Sequence, residues 1–147
     1  MKDEDFELPP AMKIRQTVQE SMTNTLPEKE FSPKDIDLVE IDIELPNLGE
    51  NFHNYRILNL CDIHLGQWIT PEYLDELIDY VNTLNYDLVT LTGDYFSYII
   101  DGYDEELVKS FKKLDPQDGK FGVLGNHDHW LSSDRILEIF EDSDIYN

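Results

Sequence analysis

Three short stretches, each an apolar run that ends in polar side chains, decide the fold of this sequence. They read ILNLCDIH at residues 57–64, DLVTLTGD at residues 87–94 and FGVLGNHDH at residues 121–129. Short apolar runs bounded by glycine and polar residues are typical of strands buried in a parallel sheet. The sequence therefore predicts strands at residues 55–61, 87–92 and 121–124, and the last of them is expected to bury Val123.

Between these strands the apolar residues recur every three or four positions, which is the period of an amphipathic helix. The first helix is predicted over residues 70–84, because a threonine cap precedes Pro71, which has no N–H to leave unpaired. A second is predicted over residues 104–114, and a last one from Ser132 or Ser133, with Leu137 among the residues that it buries. Strands that alternate with helices indicate parallel strands joined by right-handed crossovers, an α/β layer structure.

The segment that precedes the first of these strands shows two patterns. Apolar residues between positions 39 and 45 alternate with acidic ones, which predicts an edge strand beside the strand at residues 55–61 or in a hairpin with it. Residues 1–35 are polar and contain several prolines, and we interpret them as a frayed N-terminal arm. The rest, residues 36–147, is predicted to form the domain.

The chain of 147 residues has 11 Lys and Arg against 32 Asp and Glu, a formal net charge of −21. Such a surface repels nucleic acid, so duplex nucleic acid is not an expected partner, and a phosphate-bearing ligand needs a local cation. No apolar run approaches the roughly 20 residues that span a bilayer. The single cysteine, Cys61, cannot form an intramolecular disulfide, and no signal-like start is seen, so the expected location is the cytoplasm.

The polar residues that follow the three strands are the candidates for chemistry, because the carboxyl ends of parallel strands meet at one edge of the sheet. They are Asp62 and His64, then Gly93 and Asp94, then Gly125, Asn126, His127, Asp128 and His129. Taken singly, the first pair fits a helix cap and the second a turn. Together they supply carboxylate, imidazole and amide oxygen, which suit Mn²⁺, Fe²⁺ or Zn²⁺, and they predict a metal site.

These residues resemble the signatures of the calcineurin-like metallophosphoesterases, Asp-x-His, Gly-Asp-x-x and Gly-Asn-His-(Asp/Glu). The chain carries them as DIH at residues 62–64, GDYF at residues 93–96 and GNHD at residues 125–128. The wider strings around the first and third are most similar to the YkuE-like branch, whose members are often linked to membrane lipid phosphates or nucleotide-sugar lipid precursors. The resemblance implies that residues 36–147 are the N-terminal half of a β-sandwich flanked by helices.

The resemblance also implies an activity, the hydrolysis of a phosphomonoester, phosphodiester or pyrophosphate bond with two divalent metal ions. Asp62 and His64 are implied as ligands of the first ion. Asp94 is implied as the carboxylate that bridges both ions, and Asn126 as a ligand of the second. The expected substrate is a phosphate ester, including a lipid or nucleotide-sugar lipid phosphate, and the expected location extends to the membrane periphery.

Further roles are implied for the residues around these ligands. His127 is expected to donate a proton to the leaving group or to help bind the phosphate. Asp128 and His129 are expected either to support the ligands from behind or to face the substrate. Ser97 stands where many relatives carry a second aspartate that orients the catalytic histidine.

The chain departs from the family pattern further along, where the family completes its site with an isolated histidine and a Gly-His-x-His element. This sequence contains 4 histidines, none of them in such an element. We therefore expect a weakly held second ion and a complementing C-terminal half that finishes the site. The alternative hypothesis is a non-catalytic or vestigial metal-binding module that needs a second chain or segment.

Aromatic residues in or near the three polar loops have two interpretations. They could contact a base, a sugar or an acyl chain of the substrate, or they could pack as local core. The residues concerned are Trp68, Tyr95, Phe96, Tyr98 and Trp130.

Overall fold

The computed structural model of the protein describes Ser32 and residues 36–147. Within them lies a four-stranded sheet of order β1-β2-β3-β4, in which every neighbouring pair is parallel. Its strands are β1 (Ile57–Leu60), β2 (Leu88–Leu91), β3 (Lys120–Gly122) and β4 (Ile145–Tyr146). Leu58, Val89, Lys120 and Ile145 form one row across the sheet. The predicted α/β fold with parallel strands is confirmed.

Four α-helices connect or follow these strands. They are α1 (Pro71–Val81), α2 (Asp104–Lys112), α3 (Asn126–Leu131) and α4 (Ser133–Asp142), and a short 3₁₀ helix, Glu50–Phe52, precedes β1. The hydroxyl of Thr70 accepts a hydrogen bond from the Tyr73 N–H at the start of α1, which is the capping contact that the sequence predicts. Within the described part of the chain, no helix has the length and apolar character needed to cross a membrane.

The helices cover one face of the sheet, and the core lies between the two layers. Tyr95 is fully buried there and packs edge-on against Phe111 and Phe140, at ring centroid distances of 5.8 and 5.5 Å. Phe96 is also fully buried. Of the two interpretations of the aromatic residues near the loops, Tyr95 and Phe96 therefore follow the core one. Leu137, expected on the buried side of the last helix, is instead partly exposed.

The opposite face of the sheet is open as far as the described residues go. Asn59, Thr90, Phe121 and Tyr146 form a row across it. Phe121 is 43% exposed, Tyr146 66% and the adjacent Val123 55%, so the expectation that Val123 is buried is wrong. Side chains alternate between the two faces along a strand, so the side chain of Val123 lies on the same face as that of Phe121, which no described helix covers. Parallel sheets are usually covered on both faces, so this surface is unusual for the fold.

The edge strand predicted over residues 39–45 is wrong, and so is the predicted hairpin with β1. The segment has no regular secondary structure, and Val39, Ile41 and Ile43 are 68%, 76% and 74% exposed. An alternating pattern becomes a strand only where the backbone finds a pairing partner and the apolar side chains find a surface to cover. In the described residues the outer edge of β1 offers no such pairing to this segment. The N-terminal arm predicted over residues 1–35 lies outside the described residues, apart from Ser32.

We expect the open face to bind an apolar dye. Nile red is the suitable probe, because it is uncharged and the net charge of −21 would repel an anionic dye. Replacing both Phe121 and Val123 by serine should reduce Nile red emission several-fold, since it removes the contiguous apolar surface. The matched control is the double replacement of Ile41 and Ile43, which lie off the sheet. Equal losses in the two double variants would show that the dye does not bind the sheet.

Candidate metal centre

The side chains of Asp62, His64 and Asp94 come together at the carboxyl ends of β1 and β2. Each offers one ligand atom, and these atoms all lie within 4.8 Å of one another. His64 Nε2 is 3.7 Å from Asp62 Oδ1. The structure thus brings together three of the four residues that the sequence nominates as metal ligands.

Backbone hydrogen bonds hold the two loops that carry these residues at a fixed separation. The Asp62 N–H donates to the Gly93 carbonyl at 3.1 Å, and the His64 N–H donates to the Asp94 carbonyl at 3.0 Å. These bonds extend the pairing of β1 and β2 beyond the last strand residues. The spacing of the three side chains is therefore set by the sheet itself.

All three residues have left-handed backbone conformations. The φ angles of Asp62, His64 and Asp94 are 54°, 46° and 57°. Such a conformation costs a non-glycine residue about 1–2 kcal/mol and persists only where the surrounding structure enforces it. Strained residues of this kind concentrate at functional sites, and three of the five non-glycine residues with positive φ in the described chain are candidate ligands, the other two being Asn54 and Asp144. Sequence patterns gave no sign of this feature.

The third polar loop packs directly against Asp94. The His127 N–H donates to Asp94 Oδ1 at 2.9 Å. Gly125 approaches so closely that a Cβ placed on it would lie 2.2 Å from the same oxygen. Asn126, the fourth nominated ligand, is the exposed first residue of α3 and lies between these two contacts. Its backbone is thereby held beside Asp94.

Asp128 is fully buried and joins the second and third loops. Its carboxylate accepts hydrogen bonds from three backbone N–H groups, those of Asp94 at 2.8 Å, Tyr95 at 3.0 Å and Gly125 at 2.8 Å. Burial raises the pKa of Asp128, and the three N–H donors oppose that shift. The buried carboxylate of Asp128 therefore holds the second and third loops together.

Ser97 lies between two histidines of the centre. Its Oγ is 2.7 Å from Nδ1 of His64, and its backbone carbonyl oxygen is 2.8 Å from Nδ1 of His127. The two imidazole rings meet edge to face at 5.0 Å. The sequence marks Ser97 only as a departure from the family, whereas the structure shows that it contacts both rings.

Three of the aromatic residues flank this centre. The Trp130 ring is 4.8 Å from the His127 ring, and the Tyr98 ring is 5.7 Å from it. The backbone N–H of Trp68 donates to the His64 carbonyl. Both tryptophans are exposed, and the Trp130 ring presents apolar surface beside His127.

Two further side chains complete the description of the site. His129 is exposed, and its Nδ1 lies 2.9 Å from the hydroxyl of Ser133, the first residue of α4. Cys61 Sγ lies 2.6 Å from Asp62 Oδ2. Burial raises the pKa of the Cys61 thiol, which keeps it protonated as a donor to that carboxylate. Sequence reasoning used Cys61 only to exclude a disulfide, although its position next to Asp62 was visible.

The donor set fits a divalent cation. Two carboxylates and one imidazole within reach of one point are ligands that Mn²⁺, Fe²⁺ and Zn²⁺ accept. In the described residues no Lys or Arg forms an ion pair with Asp62 or Asp94, and Lys109, Lys113 and Arg135 pair with acidic residues elsewhere. A bound cation would therefore supply the positive charge that neutralises these carboxylates.

Curated proteins with similar sequences are metallophosphoesterases. The chain is 32% identical over 67% of its length to an uncharacterized metallophosphoesterase of Campylobacter jejuni. It is 31% identical over 67% of its length to the uncharacterized metallophosphoesterase YkuE of Bacillus subtilis. It is 29% identical over 67% of its length to the UDP-2,3-diacylglucosamine pyrophosphatase LpxG of Chlamydia muridarum. The matched regions cover 25%, 35% and 30% of these relatives, so the chain spans only a part of their length.

No solved structure matches the chain. The model of the calcineurin-like phosphoesterase family matches residues 55–147, which are more than half of the sequence and contain every candidate ligand. The resemblance seen in the three sequence signatures is therefore confirmed, including the likeness to YkuE. The chain belongs to the calcineurin-like phosphoesterase family.

Proposed function

We propose that this protein is a metal-dependent phosphoesterase in which Asp62, His64 and Asp94 hold the first of two divalent ions. The observation that carries the proposal is the convergence of their ligand atoms within 4.8 Å, on strained backbone at the carboxyl edge of the sheet. Asp94 and Asn126 are the proposed ligands of the second ion. Mn²⁺, Fe²⁺ and Zn²⁺ all suit this set of oxygen and nitrogen donors.

The chemistry follows from this arrangement of charge. Divalent ions bound here would polarise the phosphoryl oxygens and generate the hydroxide that attacks phosphorus. The chain contributes the orientation of Asp94, since the His127 N–H occupies one side of its Oδ1 and thereby fixes the carboxylate plane. Asn126 contributes an amide oxygen that adds no negative charge near the substrate.

His127 is the proposed proton donor to the leaving group. Its Nδ1 is engaged by the Ser97 carbonyl, so Nε2 is the nitrogen that can meet the substrate. The N–H of the same residue donates to Asp94, so the backbone of His127 is held beside that proposed ligand. A ring with Nδ1 bound in this way donates a proton from Nε2 only when it carries a positive charge, which also favours binding of phosphate.

The proposed substrate is a phosphate ester or pyrophosphate with an apolar portion. One relative acts on UDP-2,3-diacylglucosamine according to its name, and two exposed tryptophans offer a surface for such a group, Trp130 with its ring against His127 and Trp68 with its backbone bonded to His64. We propose on the same grounds that the protein works in the cytoplasm or at the membrane periphery. Duplex nucleic acid is not a proposed partner, because the net charge of −21 opposes it.

We further propose that additional polypeptide completes the site by packing on the open face of the sheet. The uncovered apolar residues of that face, Phe121, Val123 and Tyr146, support this, as does the limited share of its relatives that the chain spans. The second candidate function is a metal-binding module without hydrolytic activity. This second function is favoured because the two proposed ligands of the second ion, Asp94 and Asn126, are both oxygen donors, which hold a transition metal weakly.

Replacing Asp94 by alanine should abolish metal binding, because both proposed ions depend on this carboxylate. Calorimetric titration with Mn²⁺ measures the binding, and hydrolysis of bis(p-nitrophenyl) phosphate measures the activity. Asp142→Ala is the matched control, since it removes the same charge from an exposed position at the end of α4.

Two outcomes separate the candidate functions. Manganese binding together with hydrolysis, both lost in Asp94→Ala and retained in Asp142→Ala, supports the phosphoesterase. Binding without hydrolysis supports the module. Unchanged manganese affinity in Asp94→Ala would overturn both, because it would place the ion elsewhere.

A further inference from the structure

We propose that Ser97 is a positioning residue that fixes the proton placement of both histidines, that of His64 through its hydroxyl and that of His127 through its backbone carbonyl. The role of Ser97 rests on the proposed function, in which His64 presents a ligand atom to the metal ion and His127 presents a ring nitrogen to the substrate. It rests for its geometry on two contacts of one residue, at 2.7 and 2.8 Å.

The contact with His127 admits one proton arrangement. A backbone carbonyl oxygen only accepts hydrogen bonds, so Nδ1 of His127 must carry the proton and donate it. In the neutral ring Nε2 then keeps its lone pair. Because the partner is main chain, this arrangement does not depend on the identity of the side chain at position 97.

The contact with His64 works through the side chain. A metal-binding imidazole uses the lone pair of one nitrogen, and the hydrogen bond made by the other nitrogen selects which one. Nδ1 of His64 faces the Ser97 hydroxyl, whereas Nε2 lies 3.7 Å from Asp62 Oδ1, toward the other ligands. With Nδ1–H donating to Ser97 Oγ, the lone pair of Nε2 is left for the cation.

The burial of Ser97 stabilises its hydrogen bond with His64. The residue is only 2% exposed, so water has little access to replace the hydroxyl as the partner of His64. Serine is also neutral, and it therefore orients the imidazole without adding a third carboxylate beside Asp62 and Asp94. The two histidines are thus controlled separately, one by a side chain that mutation can remove and one by a carbonyl that it cannot.

Substituting Ser97 should consequently affect only one of the two rings. In Ser97→Ala the Nδ1–H form of neutral His64 loses its partner and both neutral forms become populated. His127 keeps its Nδ1–H form. Affinity for Zn²⁺ should fall about 10-fold, the lower end of the range seen when the hydrogen-bond partner of a metal-binding histidine is removed. Ser97→Thr, which keeps the hydroxyl, should restore both the His64 form and the affinity.

Long-range ¹H–¹⁵N correlation spectra of histidine-labelled protein read out the proton positions directly, without metal and without activity. The chain has 4 histidines, and single replacements by glutamine assign the signals of His53, His64, His127 and His129. The spectra are recorded at a pH where the neutral rings dominate. His53 and His129, which do not contact Ser97, serve as internal references, and a thermal unfolding curve of each variant verifies its fold.

The expected result is Nδ1–H for His64 and His127 in the wild type, with His64 alone altered in Ser97→Ala and restored in Ser97→Thr. A wild-type His127 protonated at Nε2, or a His64 signal that Ser97→Ala leaves unchanged, would overturn the inference. Zinc titration is a separate readout. A wild-type chain that binds no zinc but shows these proton positions would contradict the proposed function and leave the positioning role intact.

Discussion

Metal binding is expected to be lost when Gly125 is replaced by alanine. The added Cβ would lie 2.2 Å from Asp94 Oδ1 and 2.6 Å from the Asp94 backbone nitrogen. The side chain could rotate away only by leaving its ligand position, and the backbone nitrogen is held by Asp128. The φ of Gly125 is −88°, which alanine adopts freely, so the effect is a steric one. We expect a free energy of unfolding lower by about 3 kcal/mol, at the upper end for an overpacked site.

Urea unfolding and manganese titration of Gly125→Ala measure these two effects. Gly49→Ala is the matched control, because a Cβ on Gly49 meets nothing within 4 Å and its φ is −64°. The control should match the wild type in both measurements. A Gly125→Ala variant with wild-type manganese affinity would show that Asp94 is not confined by the third loop.

Replacing Asp128 by alanine should destabilise the protein by about 3 kcal/mol or more. The substitution leaves three backbone N–H groups, one buried and two partly buried, without their acceptor, and the loss of a buried acceptor costs about 1–3 kcal/mol. It should also weaken manganese binding, because two of those N–H groups belong to Asp94 and Gly125, which shape the centre. Asp128→Asn keeps the volume and one acceptor oxygen, and we expect a smaller loss from it.

Urea unfolding midpoints of the two variants, compared with those of the wild type and Asp142→Ala, test this expectation. The control removes one exposed carboxylate and thus accounts for the change in net charge. If Asp128→Ala lowered stability by no more than the control does, the three hydrogen bonds would not hold the loops together.

Local sequence signals predicted the strands and the starts of three helices. Thr70 illustrates why, since its cap is made by atoms only three residues apart. The ends of helices are less well determined by neighbours, and α1 ends at Val81 rather than near residue 84. The prediction at residues 39–45 failed because a strand depends on a partner that sequence alternation does not reveal. Val123 failed for a related reason, since its burial depends on what covers the sheet.

The candidate site was predictable where one rule of topology decides it. Parallel strands place their carboxyl ends together, so Asp62, His64 and Asp94 could be expected to meet. The sequence could not show which backbone groups form hydrogen bonds in the site. Nearly every residue has a backbone carbonyl and an N–H group. The sequence therefore does not show that the Ser97 carbonyl contacts His127, or which N–H groups bind Asp128. The contribution of Ser97 was therefore missed, and that of Asp128 stayed undecided.

The left-handed backbone at Asp62, His64 and Asp94 bears on how this site can change during evolution. Glycine adopts that conformation at lower cost than residues with a Cβ, so replacing a candidate ligand by glycine would relieve strain while removing the donor. Mutations that destroy metal binding here are thus cheap for the fold, and drift would accumulate them wherever selection on the metal chemistry relaxed.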